Sequence, residues 1–340
     1  MDLTGGLDPD REFVLASAPD DPEMRESVNA WVWDDGTEFG LPRLGVEALG
    51  EQWDTPDIQV NIALASGRVV TMFQAGEAHP PLGADGRPRV LGSGPLHFEL
   101  VEPFRHWRAE LQGTGTEITV EDQLAGWFPG GEGTPVPVEL EIDLRSAVPP
   151  WEVGTLLEEA GRVLATQEEG DLMGGPRYEQ LFRATGRLRV GDEEHALSGG
   201  GLRIRRTGVR RLAAFRGHAW QSAVFPSGRA FGCLLYPPRD DGKPTLNEGF
   251  LFDGPDGDGR LVPARVVDAP WLGDLQATGQ DVSVTLESER GTTTIHGQTR
   301  LSTFMVMGPL EGFALHQAIA HYRWDGEEAN GMLERSRAGG

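Results

Sequence analysis

A chain of 340 residues carrying a formal charge of -23 is repelled by nucleic acid and by anionic membrane surfaces. One cysteine, Cys233 in the apolar run Phe231-Gly-Cys-Leu-Leu235, excludes an internal disulfide framework and a cysteine-built zinc site, and reads as a small buried hydrophobe. The 47 glycines and 24 prolines punctuate short apolar runs, which is the rhythm of strands and turns, at a length that allows one large or two ordinary domains.

Residues 1–25 are acidic and proline-punctuated and read as a loose arm. They carry no leader-like or lipidation pattern, and no run in the chain is as long and apolar as a membrane span, so a soluble, cytoplasmic protein is expected. A strand is predicted over 26–33, with aromatics at alternate positions, and Asp34-Asp-Gly36 turns it. Residues 58–65 and 68–73 alternate around Ser66-Gly67 as a hairpin. Further strands are predicted over 96–101, 107–112, 117–121 and 136–144. Pro149-Pro150 breaks the pattern, 153–165 has helical spacing, and 168–176 reads as loop. A domain boundary is placed there, giving an N-terminal β domain over 1–170 and a C-terminal β domain over 171–340, the second of which the resemblance given below makes a lipocalin-like β-barrel.

Strand rhythm resumes over 178–190 and continues through 222–225, 229–236, 249–252, 261–267, 281–287, 292–297 and 301–307. Residues 317–324 read as the last strand, and the tail beyond Arg335 as frayed. Many short strands with almost no helix indicate an all-β fold, two antiparallel barrel or sandwich units side by side.

Between the strands of the second half lies Gly199-Gly-Gly201 followed by an arginine-rich run ending in Arg216-Gly-His-Ala-Trp-Gln221. On an extended strand Arg216, His218 and Trp220 alternate and point to one face. If that face is the inside of a barrel, a guanidinium, an imidazole and an indole line one cavity. His218 is the candidate proton-transfer group, Arg216 a group to hold or polarise an oxygen, and Trp220 a flat apolar wall. The alternative is a structural network in which the same groups are satisfied by the backbone. Glu248, whose pKa would rise in an apolar pocket, and His316, Tyr322 and Trp324 on the late aromatic strand are further candidate substrate contacts. His316 and His321 fall on opposite faces of a strand and make no metal pair. Neither a zinc-type spacing, a phosphate loop nor a nucleophile elbow is present, so no metal or cofactor is expected.

The glycine-rich lead-in Leu197-Ser-Gly-Gly-Gly201, the core Arg216-Gly-His-Ala-Trp-Gln221, the late Tyr322-Arg-Trp-Asp-Gly326 and the early Glu102-Pro-Phe-Arg-His-Trp107 together resemble the hydroxyneurosporene synthase (carotenoid 1,2-hydratase)/AttH-like family. That family is distantly related to cofactor-free fungal Diels–Alderases. Arg216, His218 and Trp220 match its Arg-Asp-His-Ser-Trp-Gly core, whereas Gly217, Ala219 and Gln221 depart from it, so the motif aspartate is missing. The resemblance implies paired lipocalin-like β units and a cofactor-free enzyme. Its substrate would be a hydrophobic unsaturated small molecule of terpenoid, steroid, polyketide or carotenoid type, and its reaction hydration, isomerisation or cyclisation. A non-catalytic carrier of such a ligand is the alternative. The expected partner is that hydrophobic small molecule.

Overall fold

The computed structural model describes residues 1–156, 177–209, 216–238, 245–307 and 312–338. Most of the helix expected over 153–165, and the loop expected over 168–176, lie outside the described residues; 153–156 form a turn and its exit.

The first unit is one antiparallel sheet. Its strands are β1 (Met24–Asp34), β2 (Phe39–Leu49), β3 (Asp57–Leu64), β4 (Arg68–Ala75), β5 (Val90–Ser93), β6 (Leu96–Glu102), β7 (His106–Thr119), β8 (Thr134–Ser146), β9 (Trp151–Glu152), β10 (Arg177–Val190) and β11 (Glu193–Val209). They run in the order β4-β3-β2-β1-β11-β10-β8-β7-β6-β5, with β9 beside β10. The start of β4 also pairs with the end of β7, Arg68 opposite Thr119, which curls the sheet back on itself. The second unit is a closed barrel of β12 (Gly217–Val224), β13 (Ala230–Leu235), β14 (Asn247–Phe252), β15 (Val262–Asp268), β16 (Val284–Ser288), β17 (Gly291–Val306), β18 (Ala314–Trp324) and β19 (Glu327–Arg337), neighbours in chain order. The expected all-β pair of units with little helix is thus observed. The chain passes from one sheet to the other between Val209 and Gly217. The division expected at 170 therefore precedes β10 and β11, two strands that hydrogen-bond into the first sheet.

Side-chain alternation builds three apolar layers. Val28, Ala30 and Val32 of β1 turn into the first lumen, with Phe39, Leu44, Phe98, Trp107 and Leu188. Ala219 and Ala223 of β12 turn into the barrel lumen, with Phe231, Cys233, Tyr322, Trp324 and Leu333. The opposite faces of the same strands meet between the units: Trp31, Trp33, Leu181, Leu202 and Ile204 pack against Trp220, Val224, Leu234, Phe250, Ile319 and Met332. Burying one large apolar side chain is worth roughly 1.5–3 kcal/mol, so this contact layer is a core in its own right.

Two expectations are corrected. The N-terminal arm is tied down: Glu12 is fully buried and accepts from Trp107 Nε1 (2.7 Å), the Phe104 amide (3.0 Å), Tyr178 and Arg203 Nη2 (2.9 Å). Burial would raise that carboxyl, but the Arg203 charge and these donors outweigh it and hold it below its ordinary value. The chain is also paired past Arg335, with β19 running to Arg337. The last strand is β19 rather than 317–324, and its Arg335 is only 1% exposed, donating to Gln280 Oε1 (2.6 Å) and the carbonyls of Pro270 and Trp271. Cys233 is buried as expected, its thiol pushed up to about 12 by burial.

Candidate active site

The register of the barrel draws one lateral row across its outer face. Glu248 lies opposite Leu234, Leu234 opposite Trp220, Trp220 opposite Glu334, and Glu334 opposite Gln317. Neighbouring strands are about 4.8 Å apart, so the row places two carboxyl groups and an indole on one surface. That surface is covered by the first unit. His218 and Trp220 therefore face the inter-unit layer and not the barrel lumen, which corrects the expectation of a cavity inside one barrel.

Trp220 is edge-on to Trp31, ring centroids 4.6 Å apart, and donates its indole N–H to Glu179 Oε2 of β10 at 3.0 Å. Glu179 Oε1 is 2.8 Å from Arg177 Nη2. Burial nonetheless raises the Glu179 carboxyl, against the lowering effect of Arg177 and Trp220.

At one end of the row stands Glu248. Its Oε1 accepts from Trp151 Nε1 at 2.5 Å and from the Gly154 amide at 2.8 Å, and the Leu156 amide is a further backbone donor to the carboxyl. The side chain is wholly buried, and Phe250 stands edge-on to Trp151 beside it. Burial pushes the Glu248 carboxyl up to about 7, and the nearby Glu179 charge adds to the rise.

On the adjacent row His218 lies opposite Ser336. A carboxylate only accepts, so His218 Nε2 donates to Glu334 Oε1 (3.0 Å); Nδ1 then shares a 2.6 Å bond with the Ser336 hydroxyl. Glu334 Oε2 accepts from Gln317 Nε2 (2.6 Å) and Trp31 Nε1 (3.2 Å), and Asn61 donates to Gln317 (3.1 Å). Burial would raise Glu334, but the bond and charge of His218, the Arg43 guanidinium and Gln317 outweigh it and hold Glu334 at about 2. The two carboxyls of one row are thus driven apart, Glu334 to a fixed anion and Glu248 to a group that changes protonation near neutrality.

The other sequence candidates lie elsewhere. Arg216 precedes β12, is exposed, and donates Nη1 to the Pro238 carbonyl at 3.3 Å. Gly217, at a φ of 125°, interrupts the extended backbone that would have aligned Arg216 with His218. Tyr322 and Trp324 fill the barrel lumen; Tyr322 donates to Gln221 Oε1 (2.9 Å), and the Arg229 guanidinium covers Trp324 at 3.8 Å. His316 is also on the lumen side, stacked on Phe304, accepting from Arg335 and bonded to Ser302 at 2.9 Å; burial and the Arg335 charge hold its pKa well down. Of the seven candidates, His218, Trp220 and Glu248 share the inter-unit surface, Tyr322, Trp324 and His316 the lumen side, and Arg216 neither.

Sequence reasoning missed Trp31, Trp151, Arg177, Glu179 and Glu334. Parity was the available signal for the first and fourth: Trp31 alternates with lumen residues, and Glu179 shares its face with Leu181. Pockets of about 400, 210 and 500 Å³ are lined by described residues, and His218, Trp220 and Glu248 line none of these. Among the described residues no group of three or more His, Cys, Asp or Glu side chains is placed to hold a metal, and no helix is long and apolar enough to cross a membrane.

A family model described as "Domain of unknown function (DUF7064)" matches residues 8–338. No curated protein matches the chain in sequence. Solved structures share the architecture. The AttH-like protein NE1406 of Nitrosomonas europaea superposes with a TM-score of 0.56 at 12% identity, covering 92% of this chain and 92% of its own. CghA gives 0.53 at 11% identity over 93% of this chain and 88% of its own. Kievitone hydratase from Nectria haematococca gives 0.53 at 9% identity over 96% of this chain and 94% of its own. The AttH-like resemblance read from the sequence therefore holds at the level of fold.

Proposed function

The chain belongs to the family described as Domain of unknown function (DUF7064), and from the site it carries we propose a cofactor-free enzyme that adds and removes protons on a hydrophobic unsaturated small molecule. The chemistry sits in the layer between the two β units. The observation that carries this reading is Glu248: a wholly buried carboxyl at the contact of the two units, near half-protonated at neutral pH, with Oε1 fixed by the Trp151 indole and the Gly154 amide. A pKa near the working pH is what general acid–base catalysis favours.

In this reading neutral Glu248 donates its proton from Oε2 to one carbon of a substrate double bond, and positive charge develops on the other carbon. The faces of Trp151 and Phe250 stabilise that charge. The Glu248 carboxylate then takes a proton back. If water has added to the cation, the product is a hydrate; if a neighbouring carbon loses the proton, an isomer; if an internal nucleophile has closed, a ring. The hydratase activity named for the kievitone enzyme, which shares this fold, supports hydration among these. Trp220, pinned by Glu179 and Trp31, limits the conformers a bound substrate can adopt. His218, tied to Glu334 and Ser336, is the second group on this surface able to move a proton.

The test is incubation of protein with lipid extracts of its host in D2O, with products read by mass spectrometry. The reading expects deuterium incorporation into a discrete compound, abolished in Glu248→Gln. A bound ligand recovered unchanged and unlabelled from the native protein would make this chain a carrier instead.

A further inference from the structure

On the face of the first unit that meets the barrel, Arg43 of β2 stands directly opposite Asn61 of β3, and Asn29 of β1 directly opposite Gly45. Arg43 is half-buried, and its guanidinium lies 5.0 Å from the ring of Trp31, which packs on Trp220. It makes no hydrogen bond or ion pair among the described residues, and its Nε is sealed from solvent. The charges of Glu334 and Glu47 reach it through space. Asn61 is oriented by a relay that starts on the barrel. The Glu334 carboxylate accepts from Gln317 Nε2, which leaves Gln317 Oε1 to accept from Asn61 Nδ2 at 3.1 Å. Asn61 Oδ1 is then a buried acceptor with no donor among the described residues. Asn29 is 2% exposed, and its amide also makes no hydrogen bond among them. A Cβ at Gly45 would stand 2.0 Å from Asn29 Oδ1 and 3.6 Å from Arg43 Nε, so a single oxygen atom can bridge the arginine and that amide. Buried polar groups are normally bonded and an unmade bond is costly, so three such groups on one surface call for a partner.

The groups differ in what they offer. A guanidinium only donates, and Asn61 Oδ1 only accepts. One ligand group satisfies both if it accepts and donates at once, as a hydroxyl does; an ether, a ketone or a carboxylate only accepts, and an ammonium only donates. A carboxylate would also meet the Glu334 charge, which is felt at Arg43. We infer that the substrate of the proposed site is elongated and ends in a neutral hydroxyl, alcohol or phenol, which accepts from Arg43 and donates to the amide oxygen of Asn61 or Asn29 while the double bond lies at Glu248. This rests on the reading of the inter-unit layer as the substrate site, and adds the polarity and the reach of the ligand to it. The reach follows from the register. Glu248, Leu234, Trp220 and Glu334 lie on four adjacent strands, three steps of about 4.8 Å, so the polar and reacting ends are roughly 14 Å apart.

The experiment compares three probes with one polyene body, all-trans-retinol, its methyl ether and all-trans-retinoate, titrated at pH 8 and followed by quenching of tryptophan fluorescence. Retinol should bind about tenfold or more tighter than either of the others. In Arg43→Met, which keeps an apolar stem over Trp31, that advantage should vanish while affinity for the methyl ether stays within about twofold, and Arg43→Lys should retain part of it. Equal affinity of retinol and its ether for the native protein, or retinoate as the tightest probe, overturns the hydroxyl docking and leaves the apolar site standing. A folded Arg43→Met protein that keeps the full advantage overturns the docking on Arg43. Absence of binding by all three probes overturns the site and the docking together. The comparison on native protein is decisive even if a variant fails to fold.

Discussion

The indole nitrogen of Trp151, on the first unit, donates to Oε1 of Glu248, on the barrel, at 2.5 Å. This bond ties the two β units together at the position where burial has raised a carboxyl to about 7. The same contact therefore bears on stability and, in the function proposed above, on chemistry, and the two can be separated by pH.

Glu248 should make the fold less stable as pH rises. Its folded pKa lies above the unfolded value of 4.5, so the native state holds its proton more tightly. Stability should fall between about pH 4.5 and 7, by on the order of 3 kcal/mol in total, and level off above. Glu248→Gln should remove this slope and be the more stable protein at pH 8. Urea unfolding of both proteins at pH 5, 6, 7 and 8 measures it.

Glu334 should behave oppositely. Its folded pKa of about 2 lies below the unfolded 4.5, so its contribution is present above pH 4.5 and is lost as pH falls toward 2. Glu334→Gln leaves His218 without its carboxylate and should cost about 3 kcal/mol at pH 7, with the gap to the native protein closing in acid. Thermal unfolding at pH 7 and at pH 3 checks the size and the direction.

Restoring the motif aspartate should fail. Gly217 has a φ of 125°, and a Cβ there would overlap the Ser336 carbonyl oxygen and approach Arg337 Cα at 3.0 Å. Gly217→Asp should lose about 3 kcal/mol or more, read as a lower melting temperature, with His218 displaced through its partner Ser336. A stable Gly217→Asp protein would mean that this strand start is not held as described.

The N-terminal arm should be part of the core. Glu12→Gln removes the charge that answers Arg203 and should cost about 3–5 kcal/mol. Deletion of residues 1–23 should be at least as damaging, measured as loss of cooperative unfolding.

The fold was legible because alternation and turn residues survive in most strands: β1, the β3–β4 hairpin, β8, β10 and β15 stand near their predicted places, while 292–297 and 301–307, predicted as two strands, form the single β17. Of the strands the sequence did not show, which include β5, β9 and β11, two were hidden for specific reasons. β2 carries Gly40, Pro42 and Gly45; a register shift takes up the proline, and Asn29 occupies the space of a Gly45 side chain. β19 reads Glu-Glu-Ala-Asn-Gly-Met-Leu-Glu-Arg-Ser-Arg, which looks solvated until its partners are known. Asn330, Glu334, Arg335 and Ser336 are each buried and hydrogen-bonded by groups far away in the chain. The candidate site was half legible. Spacing put His218 and Trp220 on one face, but which face of a barrel strand meets a second sheet is a tertiary fact. Tyr322, Trp324 and His316 are as aromatic and polar as site residues, yet the parity of β18 turns them into the lumen. Glu179 and Arg177 carry no local mark that separates them from surface charges.

The central claim is that Glu248 changes protonation near neutral pH. Carbon-13 NMR of protein labelled at the glutamate side-chain carboxyl, titrated from pH 4 to pH 9 for the native chain and for Glu248→Gln, tests it most directly. The account predicts one carboxyl resonance with a midpoint near 7 that is absent from the variant. A Glu248 resonance titrating at the ordinary carboxylate value of 4.5 would contradict it.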